Sequence, residues 1–135
     1  MKQLLLFFLI ATASVHSCQN NTGQQQAAPS DGQPVISEVL TPAAFQAKMA
    51  EIPNLQLIDV RTPEEFAQGH IDGALNLNFY DDDFTQQLEQ NLDKNRPVML
   101  YCRSGNRSGQ AASQMVTMGF KELYDLKGGF MAWPQ

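Results

Sequence analysis

Residues 98–108 read VMLYCRSGNRS, and this stretch decides the fold of the chain. Its first four residues, 98–101, form an unbroken apolar run, which is typical of a strand buried on both faces of a sheet. The run ends at Cys102, and a helix-like segment at 108–118 follows the polar loop. A strand, a short loop and a helix in this order predict a parallel sheet with Cys102 at the carboxyl end of its strand, where sites form in such sheets.

The same alternation of apolar runs and helix-like segments continues on either side of this stretch and predicts an α/β domain with a mainly parallel sheet. Two helix starts are marked by a capping threonine followed by proline, at Thr41-Pro42 and Thr62-Pro63. The predicted strands are 35–40, 55–60, 74–77, 98–101 and 123–126, and two longer helices are predicted at 82–92 and 108–118.

The loop after the fourth strand surrounds one thiol with positive charge. Gly105 and Asn106 are expected to take positive φ and to turn backbone amides inward. The next helix adds unpaired N–H groups and the positive end of its dipole, and Arg103 and Arg107 flank the turn. Because such surroundings lower the pKa of a thiol, Cys102 is predicted to be a thiolate nucleophile.

This loop resembles the active-site loop of the rhodanese family in its single-domain bacterial form, where a six-residue turn begins with the catalytic cysteine. Three further family motifs occur in the expected order: LIDVRTPEEF at 57–66, GHIDGA at 69–74 and LKGGFMAW at 126–133. The resemblance covers most of residues 35–135. It implies a rhodanese-like fold, a five-stranded parallel sheet flanked by helices on both faces.

The resemblance also implies ping-pong sulfur transfer, in which Cys102 cycles between thiol and persulfide. Donors in the family include thiosulfate, and acceptors include cyanide and other thiols. An arginine directly after the cysteine favours the thiosulfate type, since mercaptopyruvate enzymes of the family usually carry glycine there. The residues expected to hold the anionic donor and the transferred sulfur are Arg103, Ser104, Gly105, Asn106 and Arg107.

Four further polar residues in the family motifs are predicted to have structural roles. Asp59, Arg61 and Glu65 are expected to form charge contacts that hold a strand-to-helix turn. His70 precedes a strand and is expected to stabilise a turn by hydrogen bonding, not to act as a base. No cofactor is expected. No metal site is expected either, because Cys102 and His70, the one cysteine and one histidine after residue 18, lack ligand spacing.

Two other function classes compete with sulfur transfer. Cell-cycle phosphatases share the rhodanese fold, but their loop has one more residue between cysteine and arginine, which leaves room for phosphate. Only four residues separate Cys102 from Arg107, so sulfur fits this loop better. The second alternative is a non-turnover persulfide carrier or a redox-sensing interaction module, which the sequence does not separate from an enzyme.

The N-terminal part predicts export. Residues 1–17 resemble a signal peptide, and the residues before Cys18 resemble the lipobox of bacterial lipoproteins, although His16 replaces the usual small or aliphatic residue. We therefore expect a lipid on Cys18, a linker at 18–34, a domain at 35–135, and a membrane-anchored protein facing the periplasm or the cell surface. Plain secretion and an uncleaved anchor are the alternatives. Membrane fractionation that is unchanged in a Cys18→Ala variant would count against the lipid anchor.

Net charge limits the choice of partners. The chain carries 9 basic and 14 acidic residues, a net charge of −5, without a basic cluster. This composition argues against a nucleic-acid partner. The expected partners are a small sulfur-containing anion and a thiol or cyanide acceptor, and the apolar helix faces require no more than a monomer.

Overall fold

The computed structural model describes residues 34–134, which form one five-stranded sheet with strand order β1-β5-β4-β2-β3. Every pair of neighbouring strands is parallel, so the predicted α/β architecture with a five-stranded parallel sheet is confirmed. The predicted signal peptide and Cys18 lie outside the described residues. Within 34–134, no helix is long and apolar enough to cross a bilayer.

The elements are β1 (Ile36–Leu40), α1 (Pro42–Glu51), β2 (Gln56–Asp59), α2 (Pro63–Ala67), β3 (Leu75–Asn76), α3 (Phe84–Asn91), β4 (Val98–Tyr101), α4 (Asn106–Thr117), β5 (Glu122–Leu126) and a 3₁₀ turn (Gly129–Ala132).

Strand β4 lies at the centre of the sheet, and all four of its side chains are fully buried. Alternate side chains of a strand point to opposite faces. Val98 and Leu100 pack with buried residues of α3 and α4 on one face, whereas Met99 and Tyr101 pack with Phe45 of α1 on the other. Two helical layers therefore cover the sheet, and the uninterrupted apolar run of β4 is explained by burial on both sides.

The two helix starts predicted from threonine and proline are confirmed. The Thr41 side chain accepts a hydrogen bond from the Ala44 amide, with proline at the start of α1. At α2, Thr62 and Glu65 form a reciprocal capping box, in which each side chain accepts from the backbone amide of the other. This box fixes the orientation of the Glu65 carboxylate, which also belongs to the site described below.

Helix α4 begins two residues earlier than predicted. Only Gly105 takes the expected positive φ, of 102°, whereas Asn106 is the first residue of the helix, so its predicted positive φ is wrong. A single glycine suffices to turn the chain, because no side chain restricts its backbone. Because of the early start, Asn106 and Arg107 belong to the first helical turn and not to the loop.

Candidate functional site

Cys102 is the first residue after β4, at the carboxyl end of the central strand, and it is only 1% exposed. Its Sγ accepts a hydrogen bond from the Gly105 amide at 3.1 Å and one from Ser108 Oγ at 3.4 Å. The loop therefore bends around the sulfur and ends on the first turn of α4. The predicted nest of donors is present around Cys102 Sγ.

These donors set the ionisation of the thiol. Burial raises the pKa of Cys102, but hydrogen bonds from the Ser108 hydroxyl and from the amides of Ser108, Gly105 and Ser104 lower it more. The net result is a Cys102 pKa below its usual value. A thiolate in this position is partly desolvated and held in one orientation, both of which favour attack on an electrophilic sulfur.

The 3₁₀ turn is bonded to the backbone of the cysteine loop. The Phe130 amide donates to the Cys102 carbonyl at 2.8 Å, and the Met131 amide donates to the Arg103 carbonyl at 3.0 Å. Gly129 has φ of 61°, and a Cβ there would lie 2.5 Å from both carbonyl oxygens. The glycine motif near the C-terminal end therefore fixes the first two residues of the loop.

Arg107, expected to help hold the anionic donor, is engaged within the chain. Its guanidinium donates two hydrogen bonds to the Glu65 carboxylate, at 2.6 and 2.9 Å, and it also lies over the ring of Tyr80. The sequence predicted charge contacts of Glu65 with Asp59 and Arg61, but the ion-pair partner of Glu65 is Arg107. This pair joins α2 to the first turn of α4, so Arg107 positions the loop through an internal carboxylate.

The Glu65–Arg107 pair should make stability depend on pH. Hydrogen bonds from Arg107 lower the pKa of Glu65 from 4.5 to about 2. Because the folded-state pKa is depressed, the stabilisation is fully present above the unfolded value and is lost as pH falls from about 4.5 towards 2. Glu65→Gln should lower the free energy of unfolding at neutral pH by roughly 1–3 kcal/mol, a difference that shrinks in acid.

Urea titrations at neutral and acidic pH measure this difference. Glu64→Gln is the matched control, since Glu64 is exposed in the same helical turn and makes no ion pair among residues 34–134. Equal effects of the two substitutions would contradict the assigned role of the pair.

Asp59 and Arg61 form a buried ion pair behind the loop. Arg61 is 4% exposed and donates to Asp59 Oδ2 at 2.6 Å and to the Gly69 carbonyl at 2.7 Å. Its guanidinium also lies 4.2 Å from the ring centroid of Phe130. Burial lowers the pKa of Arg61, but the bonds and charge of Asp59 raise it more, so Arg61 stays charged. The pair holds the turn after β2 and supports the Phe130 ring.

Arg103 is the exposed cation of the loop. Among residues 34–134 its guanidinium makes no ion pair, and it borders a cleft of about 310 Å³. The remaining walls of this cleft come from Arg61, Glu65, Gln68, Gly69, Phe130 and Met131. The cleft thus opens beside the cysteine loop with a free positive charge at its edge.

The other predicted site residues lie at the margin of this arrangement. Ser104 is exposed and contributes its backbone amide to the sulfur. Asn106 is exposed and its side-chain oxygen accepts from Gln110 within α4. His70 is exposed, stacks on the Phe66 ring at 3.7 Å and bonds the Phe66 carbonyl through Nδ1. None of these three side chains is bonded to Cys102 Sγ.

Sequence reasoning missed three residues that shape the site. Ser108 was treated only as a helix start, although its hydroxyl reaches the sulfur. Gly129 belongs to the motif at 126–133, but its close approach to the cysteine loop was not predicted. Asp125 lies on β5, in a strand that the sequence predicted. Its side chain is only 5% exposed, and this burial was not predicted. A charged residue within an apolar strand was the available signal for Asp125.

The fold and the loop together define an α/β protein with a buried, hydrogen-bonded cysteine at the carboxyl end of its central strand. The family model of the rhodanese-like domain matches residues 41–135, and the chain belongs to this family.

Relatives and solved structures extend this result. The chain is 33% identical over 133 residues to the uncharacterized protein YqhL of Bacillus subtilis, covering 98% of this chain and 94% of that protein. It is 38% identical over 86 residues to the thiosulfate sulfurtransferase GlpE of Shewanella oneidensis, covering 64% of this chain and 82% of that protein. A rhodanese-like domain protein from Staphylococcus aureus superposes with a TM-score of 0.64 at 28% identity, covering 73% and 92% of the two chains.

Proposed function

We propose that this chain is a sulfurtransferase that moves a sulfane sulfur from an anionic donor such as thiosulfate to a thiophilic acceptor. The Cys102 thiolate attacks the outer sulfur of thiosulfate, an S–S bond forms to Cys102, and sulfite leaves with the electron pair of the broken S–S bond. Cyanide or a thiolate then attacks the outer sulfur of the persulfide. That step releases thiocyanate, or a new persulfide, and returns Cys102 as the thiolate.

The single observation that carries this proposal is the donor set around Cys102 Sγ. Donors at 3.1 and 3.4 Å stabilise negative charge on that sulfur, both before attack and when it leaves in the second step. These donors and the neighbouring amides lower the Cys102 pKa, which favours the thiolate that the first step requires. The sulfurtransferase name of the Shewanella oneidensis relative supports the same reaction class.

The cleft beside the loop supports an anionic donor. Arg103 brings a free guanidinium to its edge, whereas the other two arginines near the loop are neutralised by Asp59 and Glu65. A guanidinium suits the sulfonate-like end of thiosulfate, because its planar N–H groups can bond two oxygens at once. Arg103 is therefore assigned to donor binding and the loop amides to the transferred sulfur.

The test is thiocyanate formation from thiosulfate and cyanide by the purified chain, with the mass of the Cys102 peptide measured after thiosulfate alone. Thiocyanate together with a mass gain of one sulfur atom supports the proposal. The mass gain without turnover favours a persulfide carrier, and the absence of both favours an interaction module; either result overturns the enzyme proposal.

Arg103→Gln should weaken donor binding without removing the nucleophile. Losing one charge-assisted contact is expected to raise KM for thiosulfate about tenfold, with a smaller change in kcat. Lys127→Gln removes the same charge from an exposed side chain that does not line the cleft. Steady-state kinetics of the two variants compare them directly, and an unchanged KM in Arg103→Gln would exclude this role.

A further inference from the structure

A buried carboxyl lies against the helix turn that carries Ser108. Asp125 is 5% exposed, and its Oδ1 has no hydrogen-bond partner within residues 34–134. Its Oδ2 would lie 3.9 Å from a Cβ on Gly109, which places the carboxyl next to the first turn of α4. A buried acid with an unpartnered oxygen is costly to keep, and the reaction proposed above assigns it no task.

Ser108 stands between this carboxyl and the sulfur. Its Oγ lies 3.4 Å from Cys102 Sγ. The Asp125 carboxyl lies against the same helical turn, and the nearby Ser108 hydroxyl lowers the pKa of that carboxyl. Ser108 is fully buried, so water does not compete at this point. A serine hydroxyl has one hydrogen to donate. It cannot satisfy the thiolate and an ionised carboxylate at the same time.

We propose that Asp125 is a positioning residue for sulfur transfer, whose carboxyl determines whether the Ser108 hydroxyl donates its hydrogen to Cys102 Sγ. When Asp125 is protonated, its O–H donates to Ser108 Oγ, and Ser108 donates to the sulfur. When Asp125 loses its proton to solvent, the Ser108 hydrogen turns to the carboxylate. The thiolate then loses one donor and faces a second negative charge, so the pKa of Cys102 rises.

The surroundings of Asp125 allow its carboxyl to gain or lose a proton within the ordinary pH range. Burial raises the pKa of Asp125 to about 6, although hydrogen bonds from the Ser108 hydroxyl and the Leu126 amide lower it in part. On the adjacent strands its register partners are Leu100 and Val39, which carry no charge. On α4 it faces Ser108 and Gly109, and Cys102 is the titratable group beyond them.

The inference rests on the proposed function for the role of Cys102 as nucleophile, but its test reads the thiol alone. The rate of Cys102 alkylation by iodoacetamide is measured from about pH 5 to 9, a range that includes the Asp125 pKa of about 6. Mass spectrometry of the Cys102 peptide separates this thiol from Cys18. The assay uses the full chain, as wild type and as Asp125→Asn, Ser108→Ala and the double variant.

Asp125→Asn keeps the shape of the side chain and removes its charge, so the pH at which the Cys102 alkylation rate is half-maximal should fall by about 0.5 to 1. Ser108→Ala removes the hydrogen bond that Cys102 Sγ receives while Asp125 is protonated, so alkylation should slow mainly below about pH 6, and the inflection caused by Asp125 should shrink. In the double variant, most of the shift from Asp125→Asn should be lost, which a merely structural role would not produce. Glu122→Gln is the control, since Glu122 lies on the same strand and accepts from the Tyr124 hydroxyl instead.

Two results overturn the inference: an Asp125→Asn profile that overlays the wild type, or a shift that persists in full without the Ser108 hydroxyl. Should Asp125→Asn fail to fold, wild type and Ser108→Ala still decide the matter, because identical profiles for these two also overturn it. The chain could form no thiocyanate while its Cys102 alkylation profile still responds to the Asp125 and Ser108 substitutions as expected. That result would reject the proposed function and leave this inference standing.

Discussion

Cys102→Ser is expected to abolish thiocyanate formation, with a loss of at least about 1,000-fold in turnover. A serine hydroxyl stays protonated at neutral pH, and its oxygen cannot form the persulfide that carries sulfur between the two half-reactions. The substitution is nearly isosteric at a position that is 1% exposed, so the fold should be retained. The thiosulfate-to-cyanide assay measures the loss, and circular dichroism checks the fold.

Cys18→Ser is the matched control, because Cys18 is the other cysteine of the chain. It should retain thiocyanate formation, and its Cys102 peptide should still gain one sulfur atom. If Cys18→Ser lost turnover and Cys102→Ser kept it, Cys102 would not be the nucleophile.

Gly129→Ala should give the largest loss of stability among single substitutions near the site, about 3–5 kcal/mol. The new Cβ would lie 2.5 Å from the Cys102 and Arg103 carbonyl oxygens, and the residue already has a φ of 61°, which favours glycine. These contacts are to backbone, so neither can move without opening the loop. Urea or thermal unfolding measures the loss in free energy of unfolding. A Gly129→Ala variant that does not fold would also agree with this prediction.

Gly73→Ala separates the steric contact from the backbone strain. Gly73 also has positive φ, of 82°, but a Cβ there meets nothing within 4 Å. That substitution should therefore cost only about 1–2 kcal/mol. If the two alanine variants were equally stable, the close approach of Gly129 to the cysteine loop would not matter.

The fold could be predicted from the sequence because its signals are local. The apolar run of β4 and the two threonine–proline helix starts each report on a few neighbouring residues, and all were confirmed. The start of α4 was misplaced because asparagine is common both at positive φ and at helix ends. Gly105 alone makes the turn, and local propensity could not show that Asn106 was already helical.

The site was harder to predict, because its contacts join residues far apart in sequence. The Glu65–Arg107 pair spans 42 residues, so the sequence could not show that Arg107 was already occupied. The contact of Gly129 with the cysteine loop and the position of Asp125 behind Ser108 likewise depend on how strands and helices pack. Cys102 could be found because its loop is continuous in sequence.

The strand order also has a consequence for how this protein is made. Strand β1 is synthesised before the other strands of residues 34–134, yet within that part of the chain it lies at an edge of the sheet and pairs only with β5, the last of them. A nascent chain that ends before residue 122 therefore leaves the edges of β1 and β4 open, which invites aggregation. The described sheet therefore closes late in translation, once β5 has emerged to join β1 to β4.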